Sequence, residues 1–340
     1  MSFDPIARTV GFKPGERNVF LHILTACNLS CRHCYINPEQ HGNITLPQET
    51  VHRWLRLFRQ PDKETNLILL GGEPTMHPDL ATIIRDAKAM DYRVTVDSNG
   101  YLFHNLLDAV TPKELDYLSF SLDGPTPEVN DPIRGQGVFA ICTSNLQKAI
   151  ASGFTCSLIY TVSGLNIEAL HKMPALLEQW GVKRFFIQVI GLRGKPAVET
   201  AGENIDWQVD PHKWLEIVPR VATDAASRGI HVIYPKVYLD SGEVFECAGN
   251  VAENYFVFPN GRVYQCPLCE DHAIHSYMIE DDQLVHLQGL NEQRFFSLSI
   301  PEGCVMNKLL QPENISYNQD GTPTHRISCC LLKQEMRPNN

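Results

Sequence analysis

Three absences narrow what this chain can be. No apolar stretch reaches the ~18 residues that a membrane-spanning helix needs, and residues 1–20 lack the charged start and apolar run of an export signal. The sequence therefore predicts no membrane partner and a cytoplasmic location. Positive charge is in deficit, with Lys+Arg 29 against Asp+Glu 39 and a net charge of −10, so the overall electrostatic footprint of a nucleic-acid binder is missing and no nucleic-acid partner is expected. The third absence is local. After Cys34 the next cysteine is Cys142, so no second C-x2-C pair lies near the first cysteine group and a four-ligand zinc loop cannot close there.

Cysteine itself is plentiful. There are 11 in 340 residues, and without an export signal they argue for reduced thiols and metal ligation rather than disulfides. Three of them, Cys27, Cys31 and Cys34, sit in Thr25-Ala-Cys-Asn-Leu-Ser-Cys-Arg-His-Cys-Tyr35 with C-x3-C-x2-C spacing. Three thiolates in one short loop can hold three irons of a [4Fe–4S] cube and leave the fourth iron to an outside ligand. Some forty residues on, the apolar run Leu67–Leu70 reads as a buried parallel strand, and it ends in Gly71, Gly72, Glu73 and Pro74. Glycines at a strand end permit close backbone approach, and Glu73 offers an acceptor for an ammonium group.

Together these two motifs resemble the radical S-adenosylmethionine (SAM) superfamily. The resemblance implies that the open iron chelates the SAM amino and carboxylate groups, and that one electron from the cluster splits the sulfonium into methionine and a 5′-deoxyadenosyl radical. It implies that Gly71, Gly72, Glu73 and Pro74 cradle the SAM amino group, with a flavodoxin- or ferredoxin-type protein as the reductant. The chemistry then belongs to the cofactor, and the protein positions and shields it.

The order of elements fits that family. At 340 residues the chain exceeds a usual single core, which suggests a large unit over 1–235 and a small one over 236–340. Strands are predicted at Val19–Leu24, Leu67–Leu70, Tyr92–Val96, Tyr117–Leu122, Thr155–Val162 and Arg184–Ile190. Helices are predicted near Pro78–Met90, Phe103–Val110, Phe139–Ser152 and Ile167–Trp180, with Pro174 at a kink or restart of the last. The first helix begins near a possible capping box of Thr45 and Gln48, and places Val51, Trp54, Leu55 and Phe58 on one face. Six βα units give an α/β fold with a parallel sheet. Radical SAM cores resemble a partial (β/α)6 TIM barrel, with ligands at the C-terminal strand ends.

Those strand ends supply the remaining SAM-pocket residues, by resemblance. Ser98 and Asn99 end the third strand, and Ser121 and Asp123 the fourth. Arg134, in an Ile-Arg-Gly segment, resembles an arginine that pairs with the SAM carboxylate, a task that suits a planar fork. His33 occupies the position before the last cysteine, where the family often has an aromatic residue near the adenine. Asn166 and Val189 are expected beside the adenine, with helix capping and core packing as the alternatives.

Beyond residue 235 the βα alternation stops. Cys247, thirteen residues, Gly261, four residues and Cys266 resemble the opening of SPASM and twitch extensions, which bind auxiliary iron–sulfur clusters. Tyr255–Phe258 and Arg262–Gln265 read as a β-hairpin about Asn260-Gly261. The remaining cysteines suffice for one auxiliary [4Fe–4S] cluster, as in the twitch version of a small hairpin and helix domain. Cys247, Cys266, Cys304 and one of Cys329 and Cys330 are the expected ligands. Cys304 follows a predicted helix around Asn291–Leu298. One of the adjacent pair should pack as a small hydrophobe, because neighbours on an extended segment point to opposite sides. Cys269 is the rival, expected instead on the next strand. Cys142 and Cys156 read as buried free thiols.

The expected activity is hydrogen abstraction from a small-molecule or peptide substrate, with the auxiliary cluster accepting an electron or positioning the substrate. A peptide maturase forming carbon–carbon or carbon–sulfur bonds is the runner-up. A noncatalytic iron–sulfur module is the reading from another class, and the intact Cys27/Cys31/Cys34 and Gly71–Pro74 set argues against it. The cysteine loop begins at residue 27, so neither a cobalamin-binding block nor a winged-helix peptide-recognition domain is expected before it.

Overall fold

A computed structural model describes residues 7–10, 15–103, 106–202, 207–240 and 242–338. Its strands are β1 (Ala7–Val10), β2 (Glu16–His22), β3 (Glu64–Leu70), β4 (Arg93–Ser98), β5 (Tyr117–Ser121), β6 (Cys156–Val162), β7 (Arg184–Val189), β8 (His231–Pro235), β9 (Tyr238–Leu239), β10 (Glu253–Val257), β11 (Arg262–Tyr264), β12 (Tyr277–Glu280), β13 (Gln283–His286), β14 (Arg326–Ile327) and β15 (Lys333–Met336). From β2 to β8 each strand lies parallel beside the next in chain order. Helices fill the crossovers, as parallel pairing requires. This is the expected partial TIM-barrel architecture with one strand more. The sequence reading stops at six parallel strands, whereas β8 is a seventh, a five-residue segment ending in proline whose pattern is too short to stand out.

The sheet has two chemically different faces. Val19, Leu21, Leu67, Leu69, Val94, Val96, Leu118 and Phe120 are buried in the core formed with the helices. The alternate residues, among them Asn18, His22, Asn66, Thr95, Asp97, Ser119, Ser121 and Thr161, line an interior cavity of about 1250 Å³. Period-two alternation thus separates an apolar helix-facing layer from a largely polar interior.

The expected hairpin forms from β10 and β11, antiparallel and closed by Gly261 at φ +87°. It adds to the core sheet, with β10 parallel to β2, while β15 pairs antiparallel with β8 at the other flank. Residues beyond 235 therefore form both walls of the opening left by the parallel strands.

Local details differ from the sequence reading in three places. The helix Gln48–Phe58 buries Val51, Trp54, Leu55 and Phe58 as expected, but Pro47 is its N-cap and no side chain caps it. Thr45 stands outside, in a bridge to Leu24. Between β4 and β5 the helix covers only Leu106–Ala109, and positions 104–105 of the expected segment lie outside the described residues. The helix expected at Asn291–Leu298 covers Gln293–Phe296. The Pro174 question resolves as a restart: a 3-10 turn, Ile167–Lys172, gives way to the helix Met173–Trp180 with Pro174 in its first turn.

Candidate functional site

The cysteine loop leaves β2 at the C-terminal edge of the sheet and is clamped to the end of β3. Gly72 N donates to Leu24 O at 3.0 Å and Glu73 N to Ala26 O at 2.9 Å. A Cβ on Gly71 would lie 2.5 Å from Leu24 O, and one on Gly72 would lie 2.2 Å from Ala26 O. The glycines therefore let the cysteine loop's own backbone come close, a reason the sequence reading did not give. Cys27 is exposed, and Cys31 and Cys34 are half-buried. Burial pushes the Cys27 thiol up to about 11, a Leu29 amide opposes this, and Glu73 and the two neighbouring thiols add to it.

Glu73 is a buried hub. Its Oε1 accepts from Thr75 N at 3.0 Å, Thr75 Oγ1 at 2.6 Å and Ser98 Oγ at 2.9 Å, and its Oε2 accepts from Asn99 N at 2.7 Å. Burial raises its pKa, and these donors hold it down. The carboxylate thus ties the ends of β3 and β4 together while still lining the cavity. Pro74 opens the short 3-10 turn that Glu73 caps. Asn99 reaches the cysteine loop, its Nδ2 donating to Asn28 Oδ1 at 2.9 Å and lying 3.8 Å from Cys27 Sγ.

Asp123 is a second hub and is completely buried. Its Oδ2 meets Arg134 Nε at 2.5 Å and His33 Nε2 at 2.7 Å, and its Oδ1 accepts from Thr161 N at 2.8 Å. Burial opposes its ionisation, but Arg134 and His33 outweigh that and hold the carboxyl below its ordinary range. Arg134 and His33 both line the cavity, so the arginine expected to receive an outside carboxylate already pairs with an internal one through Nε. Arg134 O also receives Cys31 Sγ at 3.7 Å. Ser121, Val189 and Ile190 line the cavity. Asn166 is engaged elsewhere. Its amide bonds Ser163 N, Asp123 O and Thr161 O at 2.8, 3.0 and 2.9 Å, which holds the turn after β6.

The C-terminal cysteines come together from four separate segments. Cys247 feels the charges of Cys329, Cys266 and Cys304; Cys304 feels those of Cys266 and Cys329. Two features differ from the sequence reading. Cys269 is not on the next strand but in the 3-10 turn Pro267–Cys269, where its N–H donates to Cys266 O at 3.0 Å and its thiol lies beside that of Cys266. Cys329 and Cys330 stand in a turn rather than an extended strand, and Cys330 feels the charges of Cys329, Cys266 and Cys304. The adjacent Cys330 thiol lowers the Cys329 pKa against the opposing effect of burial. Cys142 and Cys156 are buried apart from both groups. Glu292, buried, fixes the approach to Cys266 by accepting from Gln265 N at 2.8 Å, Cys266 N at 3.0 Å and Ser276 Oγ at 2.7 Å.

Among the described residues no three His, Cys, Asp or Glu side chains already form a closed metal cage. The donor sets nevertheless fit iron–sulfur clusters: three thiols on one loop that lines the cavity, and six sulfurs linked to one another by electrostatic contacts, of which Cys330 also lines the cavity. Metal binding commonly completes such sites rather than finding them finished. Sequence reasoning missed the cavity-lining Arg193 and Glu270, and Trp207 behind His33. Arg193 and Glu270 form an ion pair between the two groups, and Trp207 stacks on His33 with centroids 6.5 Å apart. Arg193 carried one legible signal, its place between Gly191 and Gly194 at a strand end.

Residues 21–177 match the family model of the Radical SAM superfamily. Pre-heme d1 synthase of Dinoroseobacter shibae is 27% identical over 218 residues, covering 62% of this chain and 52% of that protein. Mycofactocin maturase MftC of Mycobacterium tuberculosis is 25% identical over 279 residues, covering 76% of this chain and 65% of that protein. Streptococcus suis SuiB bound to precursor peptide SuiA superposes with a TM-score of 0.62 at 14% identity, covering 89% of this chain and 66% of that one. The chain thus spans about half the length of the first relative and just under two thirds of the other two. Its parallel-strand core, its cysteine loop at the C-terminal strand ends and the matched span 21–177 are features the chain shares with the Radical SAM superfamily.

Proposed function

We propose that the chain binds SAM and a [4Fe–4S] cluster at the Cys27/Cys31/Cys34 loop and abstracts hydrogen from a substrate held in the interior cavity, beside an auxiliary cluster on the C-terminal cysteines. The observation that carries this reading is one continuous cavity lined by Cys27, Cys31 and Cys34, by Gly71–Glu73, and by Cys330 on the far side. When bound, the cluster supplies the electron that splits SAM into methionine and a 5′-deoxyadenosyl radical. The chain's own residues set the stage. Glu73, held by four internal donors, presents a fixed negative group to the SAM ammonium. Asp123 fixes His33 and the Nε edge of Arg134 at the mouth. Val189, Ile190 and the buried Trp207 beside His33 keep water from the wall.

A peptide is the favoured substrate class. The cavity of about 1250 Å³ takes SAM as well as the substrate in this reading. The peptide-bound SuiB structure shares the fold. Anaerobic reconstitution followed by SAM and dithionite tests the proposal: 5′-deoxyadenosine should form, and deuterium from the labelled substrate should appear in it. A well-reconstituted protein that yields none overturns the reading.

A further inference from the structure

The segment that leaves β7 touches both cysteine groups. On one side, Lys195 N donates to Cys34 O at 3.0 Å, and Lys195 Nζ donates to Ser30 Oγ at 2.9 Å and Cys31 O at 3.1 Å. On the other, Arg193 donates from its guanidinium to Pro267 O at 2.6 Å and pairs with the buried Glu270, while Gly194 N donates to Asp271 Oδ2 at 2.7 Å. The guanidinium also lies over the Tyr35 ring, 4.7 Å from its centroid. Gly194 makes this double contact possible. It stands at φ +61°, and a Cβ there would lie 2.6 Å from Cys34 O and 2.7 Å from the Tyr35 backbone.

Three residues thus strap the 27–35 loop to the 266–271 turn across one wall of the cavity. A second, parallel link runs through Tyr35 OH to His22 Nε2 at 2.7 Å, and from His22 Nδ1 to Val257 O at 3.1 Å, on the strand that leads into the hairpin carrying Cys266. An element packed against two loops transmits order between them. Ordering either loop removes conformational freedom that the other would otherwise have to lose on its own.

We propose that the strap 193–195 couples the two cysteine centres, with Arg193 as its positioning residue: a cluster held at Cys27/Cys31/Cys34 tightens the 266–271 turn, and a cluster held by the C-terminal cysteines tightens the 27–35 loop. This rests on the two-centre reading above. Reciprocity is required, because a coupling free energy between two binding sites acts equally in both directions. A merely structural Arg193–Glu270 pair would instead lower stability by the same amount whatever the state of the other loop.

The test is a cycle of reconstituted proteins: wild type, the Cys27/Cys31/Cys34 triple Ala variant, Arg193→Met, and the combination, read by amide hydrogen exchange and by iron per chain. Removing the first-loop cysteines should speed exchange at residues 266–271 by about tenfold, within the range for coupled sites. In the Arg193→Met background the same removal should change it by less than about twofold. The Cys247/Cys266 double Ala variant should speed exchange at residues 30–35 by a similar factor, again only when Arg193 is present. Equal responses with and without Arg193 overturn the coupling. If Arg193→Met fails to fold, Gly194→Ala carries the same cycle, because its added Cβ must push the strap off Cys34. Iron content separates the two failures. About four irons in wild type, unchanged by the Cys247/Cys266 variant, removes the second centre and the coupling with it, whereas about eight irons with independent exchange removes the coupling alone.

Discussion

The two cysteine groups are built in opposite ways. Cys27, Cys31 and Cys34 come from one eight-residue loop, and the most N-terminal of them is exposed to solvent. The C-terminal group draws Cys247, Cys266, Cys269, Cys304, Cys329 and Cys330 from four segments spread along the chain, and Cys269, Cys304 and Cys329 are buried. A local site is fixed by spacing and needs only an anchor, here the close contact of Gly71 and Gly72 with the loop backbone. A dispersed site exists only after the hairpin, the Val305–Leu310 helix and the 329–330 turn have packed. Exposure suits a centre that must meet SAM, and burial suits one that keeps its ligands to itself.

The largest effects should fall on the local site. Replacing Cys27, Cys31 and Cys34 together by Ala should abolish SAM cleavage and remove about four irons per chain, as iron analysis and 5′-deoxyadenosine yield will show. Next comes the dispersed site. The Cys247/Cys266 double Ala variant should fall from about eight irons to about four and melt earlier, yet keep making 5′-deoxyadenosine. Single Ala changes at Cys269, Cys329 and Cys330 then identify the fourth ligand. Loss of SAM cleavage in the double variant would show that the two groups are not separable.

How much of this was legible follows the same division. The six parallel strands and the 27–34 and 71–74 motifs could be read because each is a short-range pattern, period two along a strand or fixed spacing in a loop. The seventh strand, β8, is too short a pattern to stand out, the route of β10 back beside β2 pairs residues more than two hundred positions apart, such as Asn254 with Asn18, and the six sulfurs converge from four separate segments, so none of these could be read. Cys269 was misplaced because Pro267 turns the chain at once instead of letting it run on to a strand. The internal ion pair of Arg134 with Asp123 was not legible because the two lie on different elements.

Glu73 gives a smaller effect that separates its two roles. Glu73→Gln replaces an acceptor of four hydrogen bonds by an amide whose NH2 faces donors, which should cost about 1–3 kcal/mol of stability. Both clusters should still load, and SAM should bind more weakly. Equal SAM affinity by anaerobic calorimetry, alongside a lowered melting temperature, would leave Glu73 as a tie between β3 and β4 alone.

The smallest predicted effect lies at the seam between the two regions. The Phe258 ring, at the hairpin turn, is sandwiched between His22 at 4.1 Å and His41 at 3.8 Å. Both histidines are buried, and burial lowers His22 to about 3 and His41 to about 4 from 6.5. The unfolded chain therefore binds more protons than the folded one between about pH 3 and 6.5, so stability is greatest above that window and falls as pH drops through it. The slope should approach about 1.4 kcal/mol per pH unit for each histidine in the middle of the window. His41→Gln should flatten the melting-temperature profile between pH 6 and 5 while leaving the value at pH 7.5 less affected. Since the sandwich holds the hairpin against the 38–41 helix, hydrogen exchange at 255–264 should quicken in acid before exchange in β4 and β5 does. Simultaneous loosening of both would mean that the hairpin and the parallel core unfold as one unit, and that the distinction between a local and a dispersed centre ends at their cysteines.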